Sequence, residues 1–195
     1  MPKFPRQKEP QGRLRFLTNE EESAILEYFR KNNSDIYDFT VVALDTGFRK
    51  SELLNLENRD IAEGMLIIWT SKGDVSRSMK MTPRVREIVK RRPKGEAAFN
   101  YKLFSFSKYV ARTAFENMAK DLNLPDVTPH VLRHTFGTRL AKLRVPLKNI
   151  KTLMGHRCSS TTERYMHLGE DDLTLDMNLL AKEYGSCVQN VTKMA

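Results

Sequence analysis

All four histidines of this 195-residue chain, His130, His134, His156 and His167, fall in one stretch that also holds Arg133, Arg164 and Tyr165. His130 and Arg133 are one helical turn apart, so their side chains share a face. They follow Thr128 and Pro129, a cap and first-turn pair that starts a helix whose free amides attract an anion. That arrangement suits a phosphate. Moving a phosphodiester requires charge neutralisation, a nucleophile and a proton for the leaving oxygen. Guanidinium groups neutralise charge with paired hydrogen bonds at any working pH. A phenol such as Tyr165, with a reference pKa of roughly 10, needs a nearby base or a strongly positive field to act as the nucleophile.

The elements that must position these groups can be traced along the chain. Residues 1–16 carry Pro2, Pro5 and Pro10 among basic residues, with no apolar period, and are expected to form a basic arm or linker. Thr18 followed by Glu20, Glu21 and Glu22 starts a helix with Ile25, Leu26 and Phe29 on its apolar face. A second helix is predicted over about 36–44, and a third from Ser51 to near Asn58 after a turn at Gly47, with Arg49 at the junction. Residues 65–69 read as an apolar strand, 71–74 as a turn carrying Lys72, and 75–81 as its partner. Pro83 opens a basic helix to about 92, a break follows at 93–95, and Ser105 is expected to cap a long helix to about 122. Helices then follow from Thr128 to about 143, from Pro146 to about 154, and over 160–167 and 171–183. The fold class predicted is α+β, mainly helical with one small antiparallel sheet.

Composition sets the frame. The 33 Lys and Arg against 24 Asp and Glu leave a net charge of +9, which favours a polyanionic partner. Cys158 and Cys187 are too few for a disulfide framework and too far apart for a metal knuckle. No stretch reaches the apolar length of a membrane span and the start of the chain lacks a signal-peptide core, so a soluble, cytoplasmic setting is expected.

The order of short boxes carries a specific resemblance. The segment 46–53, Thr-Gly-Phe-Arg-Lys-Ser-Glu-Leu, and the segment 130–135, His-Val-Leu-Arg-His-Thr, resemble two boxes of the tyrosine recombinase or phage integrase family. Leu153, Met154, Gly155 and His156 resemble a further box, and Thr162 to Tyr165 the nucleophile segment. Lys72, between the first two boxes, resembles the family's catalytic lysine. The match spans about 17–183, leaving 184–195 as a tail, and the family's N-terminal helical DNA-binding domain is expected to be missing from the chain.

The resemblance implies the recombinase catalytic-domain fold and the catalytic set Arg49, Lys72, His130, Arg133, His156 and Tyr165. Arg49 and Arg133 would hold the nonbridging oxygens, His130 would be the base, and His156 a further donor to the phosphate. Lys72 would give a proton to the departing 5′ oxygen, and a 3′-phosphotyrosyl link would result. No cofactor or metal is implied. The implied partners are double-stranded DNA with specific recombination sites, three further copies in a tetramer on DNA, and accessory DNA-bending proteins, with a monomer when free. The role would be integration or excision of a phage or mobile element through a Holliday junction.

Plainer readings stand beside these. A lone tyrosine is usually a half-buried packing residue, and a lone arginine a surface ion-pair partner. Glu52 reads as structural, and His134 and His167 as hydrogen-bonded or packing residues outside the catalytic set. His156 with Cys158 lacks a second ligand pair for zinc. Lys80 competes with Lys72 on the same hairpin, and residues 84–92 read first as a solvated basic face. The competing functions are relaxation of supercoils in the manner of a type IB topoisomerase and noncatalytic DNA binding.

Overall fold

The computed structural model describes residues 14–69, 77–92 and 99–156 together with Thr162 and Tyr165. Helix α1 (Asn19–Asn32) begins at a reciprocal cap: the Glu21 amide donates to Thr18 Oγ1 at 3.2 Å and the Thr18 amide to Glu21 at 2.9 Å. Helix α2 (Ser34–Thr46) extends two residues beyond each expected end, because the Asn33 side chain accepts from the Ile36 amide and Gly47, at φ 61°, closes the last turn. Ile36, Phe39, Val41, Val42 and Leu44 are all buried, so α2 has no solvated face beyond its first turn and forms the centre of the core. Around it pack α1, α3 (Lys50–Asn55), α4 (Pro83–Lys90) and α6 (Pro129–Lys142).

Helix α3 stops at Asn55, short of the expected end near Asn58. The backbone there turns to pair with a distant segment, Leu103 donating to the Leu56 carbonyl at 2.8 Å and Asn58 to that of Tyr101 at 2.9 Å. The sheet is antiparallel in the order β1 (Ile61–Ala62), β2 (Met65–Ile68), β3 (Arg77–Lys80), with Leu66 opposite Met79 and Ile68 opposite Arg77. Strand β1 was not anticipated, since two residues are too few to show alternation.

Helix α5 (Lys108–Asp121) is capped by Ser107, not Ser105. Phe104 and Phe106 hold the preceding segment against the core by packing their rings on Phe39, at centroid distances of 5.5 and 5.6 Å, and the helix starts two residues later than expected. Helices α6 and α7 (Leu147–Met154) match their expected spans within a residue, although the Thr128 side chain makes no capping bond. Ahead of α1, Leu14 packs with the cluster around Tyr165 and Arg15 pairs with Glu21 at 2.6 Å, so the end of the expected linker lies on the domain. The rest of that arm, the turn at 71–74, the break at 93–95, the tail, and the expected helices at 160–167 and 171–183 apart from Thr162 and Tyr165 lie outside the described residues. Among the described residues no helix is long and apolar enough to cross a membrane.

Candidate active site

Three segments from different parts of the chain meet at the N-terminal half of α6. Arg133 projects from that helix and is only 3% exposed. Its guanidinium donates to the Gly47 carbonyl, at the corner between α2 and α3, and to the Met154 carbonyl at the end of α7, each at 2.6 Å. One side chain therefore ties together the two boxes that flank it in sequence. Arg49, in the α2–α3 corner, is more open and donates to Glu52 Oε1 at 2.9 Å and to the Gly155 carbonyl at 3.0 Å.

A cavity of about 200 Å³ opens beside these groups, lined by Phe48, Arg49, Lys50, His130 and Arg133 among others. Its walls carry three cations, a setting suited to an anionic group. Burial first, then the Arg49 charge, pulls the Arg133 guanidinium down to about 10, which leaves it charged at neutral pH. Burial, followed by Arg133 and Arg49, pushes His130 below its ordinary range. His156 is lowered to about 4 by burial and then by Arg133, Arg49, Arg77 and His134. Both rings are therefore neutral near pH 7, and each can accept a proton at one nitrogen while donating from the other.

Tyr165 is buried, with only 2% of its surface exposed. Its hydroxyl lies 2.8 Å from His134 Nδ1, its ring packs with Ile150 and Met154, and its plane is within 8° of the His156 ring at a centroid distance of 6.3 Å. His134 in turn meets the His130 ring edge-on at 4.4 Å. His156 Nδ1 is 2.9 Å from Thr162 Oγ1, and the Tyr165 amide donates to the Thr162 carbonyl at 3.0 Å, so one threonine is bonded to both.

Of the residues singled out in the sequence, Arg49, His130 and Arg133 line one cavity, and Tyr165, stacked on His156, is joined to His130 through His134. Lys72 lies outside the described residues, as do Cys158, Arg164 and His167. Three further contributors are His134 and Glu52, which read in the sequence as supporting residues, and Arg77. His134 is bonded to the tyrosine hydroxyl, and Glu52 lies between Arg49 and Arg77. Burial pushes the Glu52 carboxyl up, but the Arg77 hydrogen bond and the Arg49 amide outweigh it and hold Glu52 below the usual carboxylate range. Arg77 carried a signal in its strand: β3 alternates buried and exposed, and an arginine occupies a position where the period calls for an apolar side chain. Among the described residues no group of three or more His, Cys, Asp or Glu is placed to hold a metal ion. A larger cleft of about 570 Å³ near Asn55, Trp69 and Phe99 is lined by neither Arg49, Arg133 nor any histidine.

A sequence profile of the phage integrase family matches residues 15–171. The chain is 31% identical over 132 residues to the tyrosine recombinase XerA of Saccharolobus solfataricus, covering 67% of this chain and 45% of that protein. It is 29% identical over 160 residues to the shufflon-specific DNA recombinase of Escherichia coli, covering 80% and 41%. The chain spans about half the length of the curated relatives it matches. Among solved structures, it superposes on the Tn1549 transposon integrase in complex with transposon right end DNA with a TM-score of 0.70 at 24% identity, over 91% of this chain and 68% of the other. The catalytic domain of bacteriophage HP1 integrase gives a TM-score of 0.69 at 23% identity, over 86% and 96%. These two likenesses establish the recombinase catalytic-domain fold.

Proposed function

Given that this chain belongs to the phage integrase family of tyrosine recombinases, we propose that it cleaves and rejoins DNA at specific sites through a covalent bond between Tyr165 and a 3′ phosphate. The observation that carries this reading is the convergence of Arg49, His130 and Arg133 on one cavity, with Tyr165 joined to its His130 wall through His134. A scissile phosphate placed in the cavity meets two guanidiniums that stabilise the additional charge of a pentacoordinate phosphorus. His156 adds a neutral N–H donor.

In the forward step the Tyr165 oxygen bonds to phosphorus as the bond to the 5′ oxygen breaks. The phenol proton passes to a neutral imidazole, with His130 as the base, and Lys72 protonates the departing oxygen. Because the phosphotyrosyl ester retains the energy of the broken bond, attack by a 5′ hydroxyl from a second strand reseals the DNA and frees the tyrosine. Tyr165 is buried in the free protein, so the ring must leave its seat between His134 and Met154 to reach a phosphate. Assembly of four protomers on two duplexes, DNA-bending partners and a role in moving a phage or mobile element belong to the same proposal. The +9 net charge supports the DNA partner.

The test is covalent capture. Nicked duplexes with randomised cores are incubated with the protein in EDTA, detergent-resistant adducts are isolated, and the modified peptide is mapped. Adducts on Tyr165 that disappear in Y165F are the expected result. Capture through another residue, or none with wild type, rejects the reading, and relaxation of supercoils without partner exchange would favour topoisomerase activity instead.

A further inference from the structure

Arg77 lies on β3 facing inward, with 8% of its side chain exposed, and bonds Glu52 Oε2 at 2.6 Å. A buried guanidinium is costly to desolvate, and an apolar residue would serve the sheet at least as well. Its surroundings point to a use. One neighbour of its guanidinium is the Phe48 ring, 5.1 Å away, and another is the backbone of Gly155, where an added Cβ would come within 2.3 Å of Nη1 and 2.7 Å of Cζ. Phe48 directly precedes Arg49, and Gly155 directly precedes His156. The Arg77 side chain is thus in contact with the two segments that carry phosphate-facing groups.

The hydrogen bonds run as a chain through the same residues, from Arg77 to the Gly155 backbone that its side chain also touches. Glu52 Oε2 accepts from Arg77 and from the Arg49 amide at 2.7 Å, which leaves Oε1 for the Arg49 guanidinium, and Arg49 then donates to the Gly155 carbonyl. Among the described residues Arg77 Nε has no hydrogen-bond partner, so the guanidinium sits where it meets Glu52, Phe48 and Gly155 at the expense of its own bonding.

We propose that Arg77 is a positioning residue of this site, acting through Glu52 and the Gly155 backbone to hold Arg49 and the His156 turn in the register needed to grip a single phosphate. This deepens the strand-cleavage reading and rests on it. The role requires a cation paired with Glu52: removing it frees Glu52 to draw Arg49 away from the cavity and leaves a gap beside Gly155. A misplacement of about 1 Å at a reacting centre lowers rates by roughly 100-fold.

Single-turnover adduct formation on the duplexes captured by wild type tests this, with R77M, R77K and the double variant E52Q/R77M. R77M is expected to slow the step by about 100-fold while the half-saturating DNA concentration changes less than about threefold, and R77K to recover most of the rate because it keeps the charge and one bond to Glu52. Titration of the His156 ring by NMR gives a second readout. Its facing groups are Arg133, Arg49, Arg77 and His134, so its midpoint should rise in R77M and stay near wild type in R77K. If R77M does not fold, the double variant decides, since it leaves no unpaired buried charge: it should react several-fold more slowly than E52Q alone, because the support beside Gly155 is lost as well. A folded R77M with wild-type rate, equal loss of rate and affinity without rescue by R77K, or a double variant as fast as E52Q overturns the proposal. Failure of wild type to form any Tyr165 adduct would instead reject the underlying reading.

Discussion

Arg133 donates to two buried backbone carbonyls and still faces the cavity, so its structural and chemical duties are separable by substitution. A lysine keeps the charge but cannot span the carbonyls of Gly47 and Met154 together. R133K should cost about 1–3 kcal/mol of stability, read by denaturant unfolding, for the carbonyl left without a donor. It should also lower the rate of adduct formation by roughly 100-fold or more, through loss of the paired contact to the phosphate. The histidines give a pH dependence with a definite sign. An unfolded His156 titrates near 6.5 and the folded one near about 4, so between those values the unfolded chain binds more protons. Stability is therefore lost as pH falls from 6.5 towards 4, and His130, shifted the same way, adds to the loss. In thermal melts across that window H156Q should show a shallower fall in Tm than wild type; an equal fall would count against the burial of a neutral ring.

At the scale of elements, the seat of Tyr165 depends on how closely α6 approaches α7. Gly137 makes that approach: a Cβ there would lie 2.8 Å from Tyr165 Cε1 and Cζ and from Met154 Sδ. The methionine can yield, whereas the ring is held by its hydroxyl contact to His134. G137A should cost about 1–3 kcal/mol and push Tyr165 outward. The expected sign is faster nitration of Tyr165 in mapped peptides from the variant, and an unchanged nitration rate would show that the helices part instead. The starts of α1 and α4 were legible in Thr18, whose side chain accepts from the amide three residues on, and in Pro83, which occupies the first turn of α4. The start of α5 was misjudged by two residues because Ser105 and Ser107 offer the same chemistry, and only the packing of Phe104 and Phe106 on Phe39 distinguishes them.

Across the whole molecule, ion pairs hold the helices that surround α2. Glu22 of α1 bonds Arg139 of α6 and also pairs with Arg84 of α4 at 3.4 Å, while Arg84 pairs with Asp45 of α2. Glu22 reads in the sequence as one more acid favouring the start of a helix, yet it is 8% exposed and joins three elements. The partly exposed arginines keep water access, so E22Q should cost only about 1–2 kcal/mol. Unfolding in urea should remain a single transition with a lower midpoint. Separate unfolding of α1 would show that the network, not the core around Ile25 and Phe29, attaches that helix.

Residue types and spacing alone yield what is local or ordered along the chain: the cap at Thr18, the paired strands β2 and β3, the mainly helical class, and the order of the candidates Arg49, His130, Arg133, His156 and Tyr165. Each follows from residue type at fixed spacing, which backbone geometry translates directly into position on an element. Only the tertiary structure decided that Arg77 meets Glu52 across 25 residues, that Tyr165 bonds His134 across 31, and that the tyrosine is buried rather than presented. Those contacts depend on the distance and angle between packed elements, and no periodicity within one segment encodes where a second segment will lie against it.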